Sequence, residues 1–215
     1  MPRSARKAIG GLCYHIHHRT IQSVKVFEEA EQRWRFLELV KLAQTRVSIE
    51  LLAACVMPDH FHVVVRPGSD EDLGRWMQWL LTTHVRRWHS QQHSAGPIWW
   101  GRFKAFAIAQ DKHLVRVMAY VERNALRAGL VERAEQWPWG SLNWRYSQVT
   151  PVALTPPPVP LPQNWVEYVN APENSDELEV IRVCVSRQRS FGDLQSQSLA
   201  RSDLVPLPIA ASASG

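Results

Sequence analysis

The order of apolar segments along this chain predicts an α+β domain with a ferredoxin-like arrangement. Four extended segments and two helical ones follow in the order β-α-β-β-α-β, and a further helix comes next. The second and third extended segments are joined only by the turn Met57-Pro58-Asp59, which favours an antiparallel pair of strands. A doubly wound parallel sheet, the competing assignment, needs a helix at that connection.

Each predicted strand is a short apolar run bounded by turn-forming or charged residues. The strands are predicted over residues 12–19, 47–56, 61–65 and 102–109. The second run is rich in β-branched residues, and the third ends at Pro67-Gly68. Together they predict one antiparallel sheet with two helices on one face.

The helices are predicted from apolar residues that recur at helical spacing. The first covers residues 26–42 and the second covers residues 70–92. The third is predicted to begin at a cap provided by Asp111 and to run to about Ala128, where Gly129 is well placed to end it.

Changes in composition divide the chain into four parts. They are a domain over residues 1–145, a linker over residues 146–163, a helical appendage over residues 164–193 and a disordered tail over residues 194–215. The prolines of the linker favour a stiff polyproline conformation. Asp176 and Glu179 in the appendage have the spacing of a capping box.

The composition is that of a globular protein with a mild positive charge. Hydrophobic residues make up 45% of the chain, and 25 lysines and arginines face 20 acidic residues. Neither a bilayer-spanning apolar run nor a signal peptide is evident, so we expect a cytoplasmic location. Arginines and tryptophans interleave between residues 75 and 127, which suits a partner with phosphates and exposed bases. At least half of these tryptophans are nevertheless expected in the core.

His60-Phe61-His62 places two imidazoles on one face of the third strand, because side chains in a strand alternate between faces. The two rings are then about 6–7 Å apart, within reach of one metal ion. Neutral imidazole is a suitable ligand for divalent metals. A pair of solvated histidines is the alternative, and His15-Ile16-His17 repeats the same spacing on the first strand. The motif therefore needs independent support.

The third helix supplies that support. Its core stripe is formed by Leu114, Met118, Val121 and Ala125. Tyr120 and Asn124 are four residues apart, so they share a face that is rotated away from the stripe. Asn124 would complete the metal site through its carbonyl oxygen, and Tyr120 would present its hydroxyl to a phosphate. Packing of Tyr120 at the edge of the core and capping by Asn124 are the alternatives.

Four ordered blocks resemble the single-tyrosine transposases of the HUH (His-hydrophobic-His) class, and in particular the REP-associated tyrosine transposases. The blocks are MPDHFHVVV at residues 57–65, WWGRFK at 99–104, YVERNALRAGLV at 120–131 and WPWGS at 137–141. The resemblance covers roughly residues 5–145 and, more loosely, the appendage. Two departures are Ala125, where the family usually has proline, and a tail that lacks the family's basic character.

The resemblance implies a divalent ion, Mg²⁺ or Mn²⁺, and single-stranded DNA with a hairpin as the substrate. By position, His60, His62 and Asn124 are the implied metal ligands and Tyr120 is the implied nucleophile. The implied reaction is a transesterification that passes through a 5′-phosphotyrosine and releases a 3′-OH. The cations that we expect to contact the DNA backbone are Arg86, Arg87, Arg102, Lys104 and Arg127.

Two other functions compete with this hypothesis. A domesticated protein would retain the fold and the affinity for DNA hairpins but would no longer transpose. An RNA-binding module would need aromatic residues on the exposed face of the first and third strands, where this chain places histidines. A general base for the tyrosine is not evident, with His113 as a weak candidate, and the oligomeric state stays open between monomer and dimer.

Overall fold

The computed structural model describes residues 8–21, 26–148, 150–172, 175–187 and 190–192. Their centre is a four-stranded sheet of order β2-β3-β1-β4. The strands are β1 (Cys13–Arg19), β2 (Ile49–Val56), β3 (His60–Pro67) and β4 (Lys104–Ile108). All three pairings are antiparallel, and the β-α-β-β-α-β order confirms the predicted ferredoxin-like fold.

Two helices, α1 (Ala30–Gln44) and α2 (Asp72–Gln92), pack together on one face of the sheet. Phe61, Val63 and Val65 of β3 point into this layer because their side chains alternate with those of the histidines. The side chains of the two helices close over them, and the resulting core excludes water. This layer confirms the prediction of two helices on one face of the sheet, although α1 begins at Ala30 rather than at residue 26.

The third helix packs on the opposite face of the sheet. It comprises α3 (Lys112–Glu122) and, after a slight break at Arg123, α4 (Asn124–Arg127). The predicted single helix is thus divided, although the Arg127 amide still donates to the Arg123 carbonyl at 2.9 Å. Asp111 caps the helix by accepting a hydrogen bond from the His113 amide, as predicted. Gly129 follows α4 with a φ of 68°, which favours glycine, and so ends the helical segment as predicted.

The predicted apolar stripe of this helix is completely buried. Leu114, Met118, Val121 and Ala125 all belong to a second core cluster, together with residues of β2, β3 and β4. The sheet therefore has a helical layer on each face. This burial fixes the rotation of α3 about its axis, and with it the direction in which Tyr120 points.

Further helices follow α4 along the chain. They are a 3₁₀ helix (Ala134–Gln136), α5 (Ser141–Tyr146), α6 (Trp165–Asn170) and α7 (Ser175–Arg187). The carboxylate of Glu122, on α3, is buried and accepts hydrogen bonds from Ser141 Oγ (2.6 Å), Arg145 Nε (2.8 Å) and Trp165 Nε1 (2.7 Å). One charged group thus joins α3 to both α5 and α6.

The proline-rich segment and the appendage both contact the domain. Val152 is buried in the core of the α1–α2 layer, and the Thr155 amide donates to the Leu51 carbonyl at 2.8 Å. Phe191 forms a parallel bridge with Ile108 beside β4. The proposed division into four parts stays a prediction, and the tail over residues 194–215 lies outside the described residues.

Among the described residues, no helix is both long enough and apolar enough to cross a membrane.

Candidate active site: a histidine cluster facing a buried tyrosine

Antiparallel pairing of β1 with β3 brings two His-x-His motifs side by side. His17 pairs with His62 and Arg19 pairs with His60, so the imidazoles of both strands lie on the face covered by α3. The rings of His17 and His62 are stacked with centroids 4.6 Å apart. The histidines of β1, which the sequence offered only as a warning about chance motifs, are therefore part of the same cluster.

Three of these histidines can share one metal ion. One nitrogen each from His17, His60 and His62 lies within 4.8 Å of the other two. Ligand nitrogens bind such ions at about 2.0–2.1 Å, so a small inward movement of the rings would complete the contact. His17 Nδ1 is buried and has no hydrogen-bond partner, which leaves a nitrogen of this ring uncommitted to the protein. The donor set therefore fits a divalent ion.

Asp59 holds the ring of His60 in position. Asp59 Oδ1 lies 2.6 Å from His60 Nδ1, and the other carboxylate oxygen accepts from Arg19 Nε at 2.9 Å. The hydrogen bond from His60 lowers the pKa of the Asp59 carboxyl well below its usual range, with the Arg19 charge acting in the same direction. A carboxylate bonded to Nδ1–H leaves Nε2 free to bind a metal. Sequence reasoning assigned Asp59 only to a turn and missed this role.

A second imidazole orients His62. His15 Nε2 lies 2.8 Å from His62 Nδ1, and both rings are buried. Burial lowers the pKa of each ring well below 6.5, and the charges of neighbouring histidines and of Arg127 lower it further. Burial also lowers the pKa of His17, to about 3. These imidazoles are neutral at pH 7, which is the state that binds metal.

Tyr120 faces this cluster from α3, as predicted. The centroid of its ring lies 5.8 Å from that of His62 and 6.1 Å from that of His15, in edge-to-face geometry. The guanidinium carbon of Arg127 lies 4.1 Å from the centroid of the tyrosine ring. A cation at this distance interacts favourably with the ring face. The tyrosine, the histidines and one arginine thus form a single group.

Asn124 lies one turn after Tyr120, and its side chain is bonded to the helix. Its oxygen accepts a hydrogen bond of 2.8 Å from Arg127, and its amide donates to the carbonyl of Tyr120 at 3.2 Å. To become a metal ligand, this oxygen would have to share or exchange its bond to Arg127. The role of Asn124 as third ligand stays a prediction, whereas His17 is already next to His60 and His62.

The five predicted DNA-contacting cations are separated by the fold. Arg102 and Lys104 line a cavity beside His17, and Arg127 lies at Tyr120. Arg86 and Arg87 lie on α2, on the other side of the sheet, where they line two different grooves. The fold therefore brings three of these cations to the site and not the other two.

His113 lies at the start of α3 rather than at the tyrosine. Its ring bonds to Asp111 at 2.7 Å and packs edge-on against Phe191. Arg19 is a further residue that sequence reasoning missed at the site. Its position directly after the His-x-His motif of β1 was the available signal, but it had meaning only once the pairing of the strands was known.

Residues 8–124 match the sequence profile of a family described as "Transposase IS200 like", which is more than half of the chain. The chain belongs to the IS200-like transposase family. A Haemophilus influenzae protein named as a REP-associated tyrosine transposase is 28% identical over 104 residues. The match covers 44% of this chain and 59% of the relative, so this chain spans about three fifths of that protein's length.

One solved structure of a transposase shares the fold. A REP-associated tyrosine transposase bound to a REP hairpin superposes with a TM-score of 0.55 at 20% identity, covering 66% of this chain and 84% of the other chain. A Deinococcus radiodurans protein described as a transposase has a TM-score of 0.40 at 20% identity, over 56% and 95% of the two chains. The family match, the sequence relative and the hairpin-bound structure together confirm the resemblance to REP-associated tyrosine transposases.

Proposed function

We propose that this IS200-like transposase cleaves and rejoins single-stranded DNA next to hairpins, with Tyr120 as the nucleophile. The observation that carries the proposal is the packing of the Tyr120 ring against His15 and His62. His62 is also one of the three imidazoles that together fit a metal ion. A REP hairpin is the ligand in the similar solved structure. We infer hairpin DNA with a single-stranded extension as the ligand here, and a cytoplasmic location.

The proposed metal ligands are His60 and His62, as the sequence predicted, together with His17. Bound by these rings, a divalent ion would supply positive charge to offset the charge that develops on the scissile phosphate. Of the two ions that the resemblance implies, Mn²⁺ suits a set of imidazoles better than Mg²⁺, which prefers oxygen ligands. Asp59 and His15 do not bind the ion themselves but hydrogen-bond to its ligands: Asp59 orients His60, and His15 orients His62.

The proposed chemical step exchanges one phosphodiester bond for another. The phenolic oxygen of Tyr120 bonds to phosphorus, the bond from phosphorus to the 3′ oxygen breaks, and that oxygen takes up a proton. The phenolic proton leaves to solvent, and Arg127 stabilises negative charge at the ring that it covers. The DNA is left attached to Tyr120 through its 5′ phosphate. Attack by another 3′-OH reverses these changes and joins new strands.

Covalent capture tests the proposal. Labelled hairpin DNA from the flanks of the gene, with single-stranded extensions, is incubated with the protein and Mn²⁺ and separated on a denaturing gel. We expect an adduct with the unaltered protein and none with Tyr120→Phe or His62→Ala. Tyr146→Phe is the matched control, because this tyrosine lies exposed on α5 and should be dispensable.

Other outcomes of the same experiment would contradict the proposal. Tight binding of the hairpin without any adduct would establish the domesticated binder instead. An adduct that survives Tyr120→Phe would assign the nucleophile to another residue. The RNA-binding alternative has lost its structural basis, because helices cover both faces of the sheet in the part of the chain that the structure describes.

A further inference from the structure

A cavity of about 380 Å³ opens at the end of β1, directly beside the histidine cluster. It is lined by His17, His18, Arg19, Thr20, Trp100, Arg102 and Lys104. Its volume is at the lower end of the range for small-molecule sites. The cavity shares His17 with the group of metal-binding imidazoles, so whatever occupies it lies next to the proposed reaction centre.

The wall that carries Trp100 is held in place by the end of β1 and by the residues that follow it. The Trp100 amide donates to the Arg19 carbonyl at 2.9 Å, and the Ile21 amide donates to the Ile98 carbonyl at 2.9 Å. The preceding residue, Trp99, turns inward and stacks on His18 with centroids 4.8 Å apart. Gly101 follows with a φ of 59°, a conformation that favours glycine and turns the chain back towards β4.

This arrangement leaves the indole of Trp100 facing outward, with 69% of its surface exposed. A single exposed tryptophan is ordinary on a protein surface. Here, however, the ring lines a cavity with three cationic side chains, Arg19, Arg102 and Lys104. A flat ring beside cations is the combination that binds an unpaired base together with its phosphate.

The cations differ in how available they are. The guanidinium of Arg19 is already bonded to Asp59, so most of its charge is compensated. Lys104 is the cross-strand partner of His17, so its side chain lies on the histidine face of the sheet, and it lines the cavity. Arg102 is exposed in the loop after Trp100. Arg102 and Lys104 are therefore the two side chains best placed to contact phosphates.

We propose that this cavity is a nucleotide subsite that binds one unpaired nucleotide adjacent to the scissile phosphate. The base stacks on Trp100, and the flanking phosphates contact Arg102 and Lys104. The proposal rests on the proposed function, because it assigns to the cavity a nucleotide of the same single-stranded DNA. Binding there would fix the register of the strand relative to Tyr120.

The test measures the affinity of the protein and its variants for single-stranded DNA by fluorescence anisotropy. EDTA is present to prevent any metal-dependent reaction. The probes are a fluorescein-labelled 12-nucleotide single strand of mixed sequence and a matched strand in which every nucleotide is abasic. We expect Trp100→Ala to weaken binding of the first probe about tenfold, since stacking of one base on an aromatic ring contributes about 1–3 kcal/mol. Binding of the abasic strand should stay unchanged.

Matched variants separate stacking from charge. Trp34→Ala removes another partly exposed tryptophan, on α1 across the sheet, and should change neither affinity. Arg102→Gln should weaken both probes and reduce the slope of log affinity against log salt by about one. Arg75→Gln, an exposed arginine of α2, is the control for charge and should leave this slope unchanged.

Two results would overturn the subsite. Equal weakening of both probes by Trp100→Ala would show that the ring does not act on a base. A preference for the base-containing strand that survives Trp100→Ala would place the stacking elsewhere. A protein that forms the Tyr120 adduct but shows either result keeps its proposed function and loses only the subsite. If the unaltered protein binds neither probe and forms no adduct, both proposals fail together.

Discussion

The two faces of the sheet are built from alternate residues of the same strand and have opposite chemistry. On one face, Phe61 and Val63 pack under α1 and α2 in a continuous apolar core. On the other, His60 and His62 meet the histidines of β1 beneath α3 and Tyr120. Adjacent residues of β3 therefore belong to different parts of the molecule. One points into the apolar core that stabilises the fold, and the next points to the site of the proposed chemistry.

Buried nitrogen atoms without hydrogen-bond partners occur on both faces, but they are arranged differently. His84 Nδ1 is enclosed by the aromatic rings of Phe27, Phe36 and Trp99. On the other face, His17 Nδ1 belongs to a group of imidazoles that one ion can bridge. A buried nitrogen without a hydrogen-bond partner lowers the stability of the folded protein. On the histidine face, a bound metal ion would provide the missing partner.

The largest expected effect comes from adjacent residues of β3. Phe61→Ala should lower the free energy of unfolding by about 3–5 kcal/mol, because it leaves a cavity in the core. His62→Ala should change stability much less but should abolish adduct formation. Urea denaturation and the capture experiment measure the two effects. If His62→Ala destabilises the protein as much as Phe61→Ala, it is wrong that one face of the sheet serves stability and the other serves the reaction.

Substitution of Glu122 tests whether its buried hydrogen bonds hold α3, the helix that carries Tyr120, against α5 and α6. Glu122→Ala should lower the free energy of unfolding by roughly 3 kcal/mol, since it leaves Arg145 and the Trp165 indole without their buried acceptor. Glu38→Ala is the matched control on the exposed surface of α1 and should have an effect within about 0.5 kcal/mol. Equal urea midpoints for the two variants would show that packing alone holds the α3 layer.

The next prediction concerns which residue is the third metal ligand on the histidine face, His17 or Asn124. His17→Ala should weaken Mn²⁺ binding by on the order of 100-fold, because even residues that only orient ligands change metal affinity by about 10–100-fold. Asn124→Ala should have a smaller effect, since its oxygen is bonded to Arg127. Isothermal titration calorimetry of the two variants decides between them. The reverse order of effects would make Asn124 the third ligand.

The smallest expected effect is a pH dependence that originates on the apolar face. Burial lowers the pKa of His84 from 6.5 to about 4 in the folded protein. The unfolded chain therefore binds more protons between these values, and stability decreases as pH falls from about 6.5 towards 4. At pH 5 the loss from this group should be about 2 kcal/mol relative to pH 8.

The variant His84→Phe isolates this contribution to the pH dependence. Urea denaturation of the two proteins at several pH values should give curves that diverge below pH 6.5, with the variant losing less stability. Parallel curves would show that other groups, such as His18, whose pKa is also lowered to about 4 by burial, cause the acid sensitivity.

The alternation of side chains in β3 and the apolar stripe of α3 were predictable because each is a local, periodic pattern. The sequence alone therefore determined the fold class, the layer that receives Phe61 and the orientation of Tyr120 towards the histidines. The boundaries were less accurate, with β4 shorter than predicted and the third helix divided at Arg123. Short-range periodicity does not specify where hydrogen bonding ends.

Tertiary structure decided which residues meet. The register of β1 against β3 placed His17 beside His62, and it brought Arg19 to Asp59. The packing of α2 on the other face took Arg86 and Arg87 away from the site that Arg102 and Lys104 share. A periodic pattern indicates the face on which a side chain lies, whereas strand register and helix packing depend on contacts between residues distant in sequence. Those contacts, and not the local pattern, assembled the histidine cluster and its cavity.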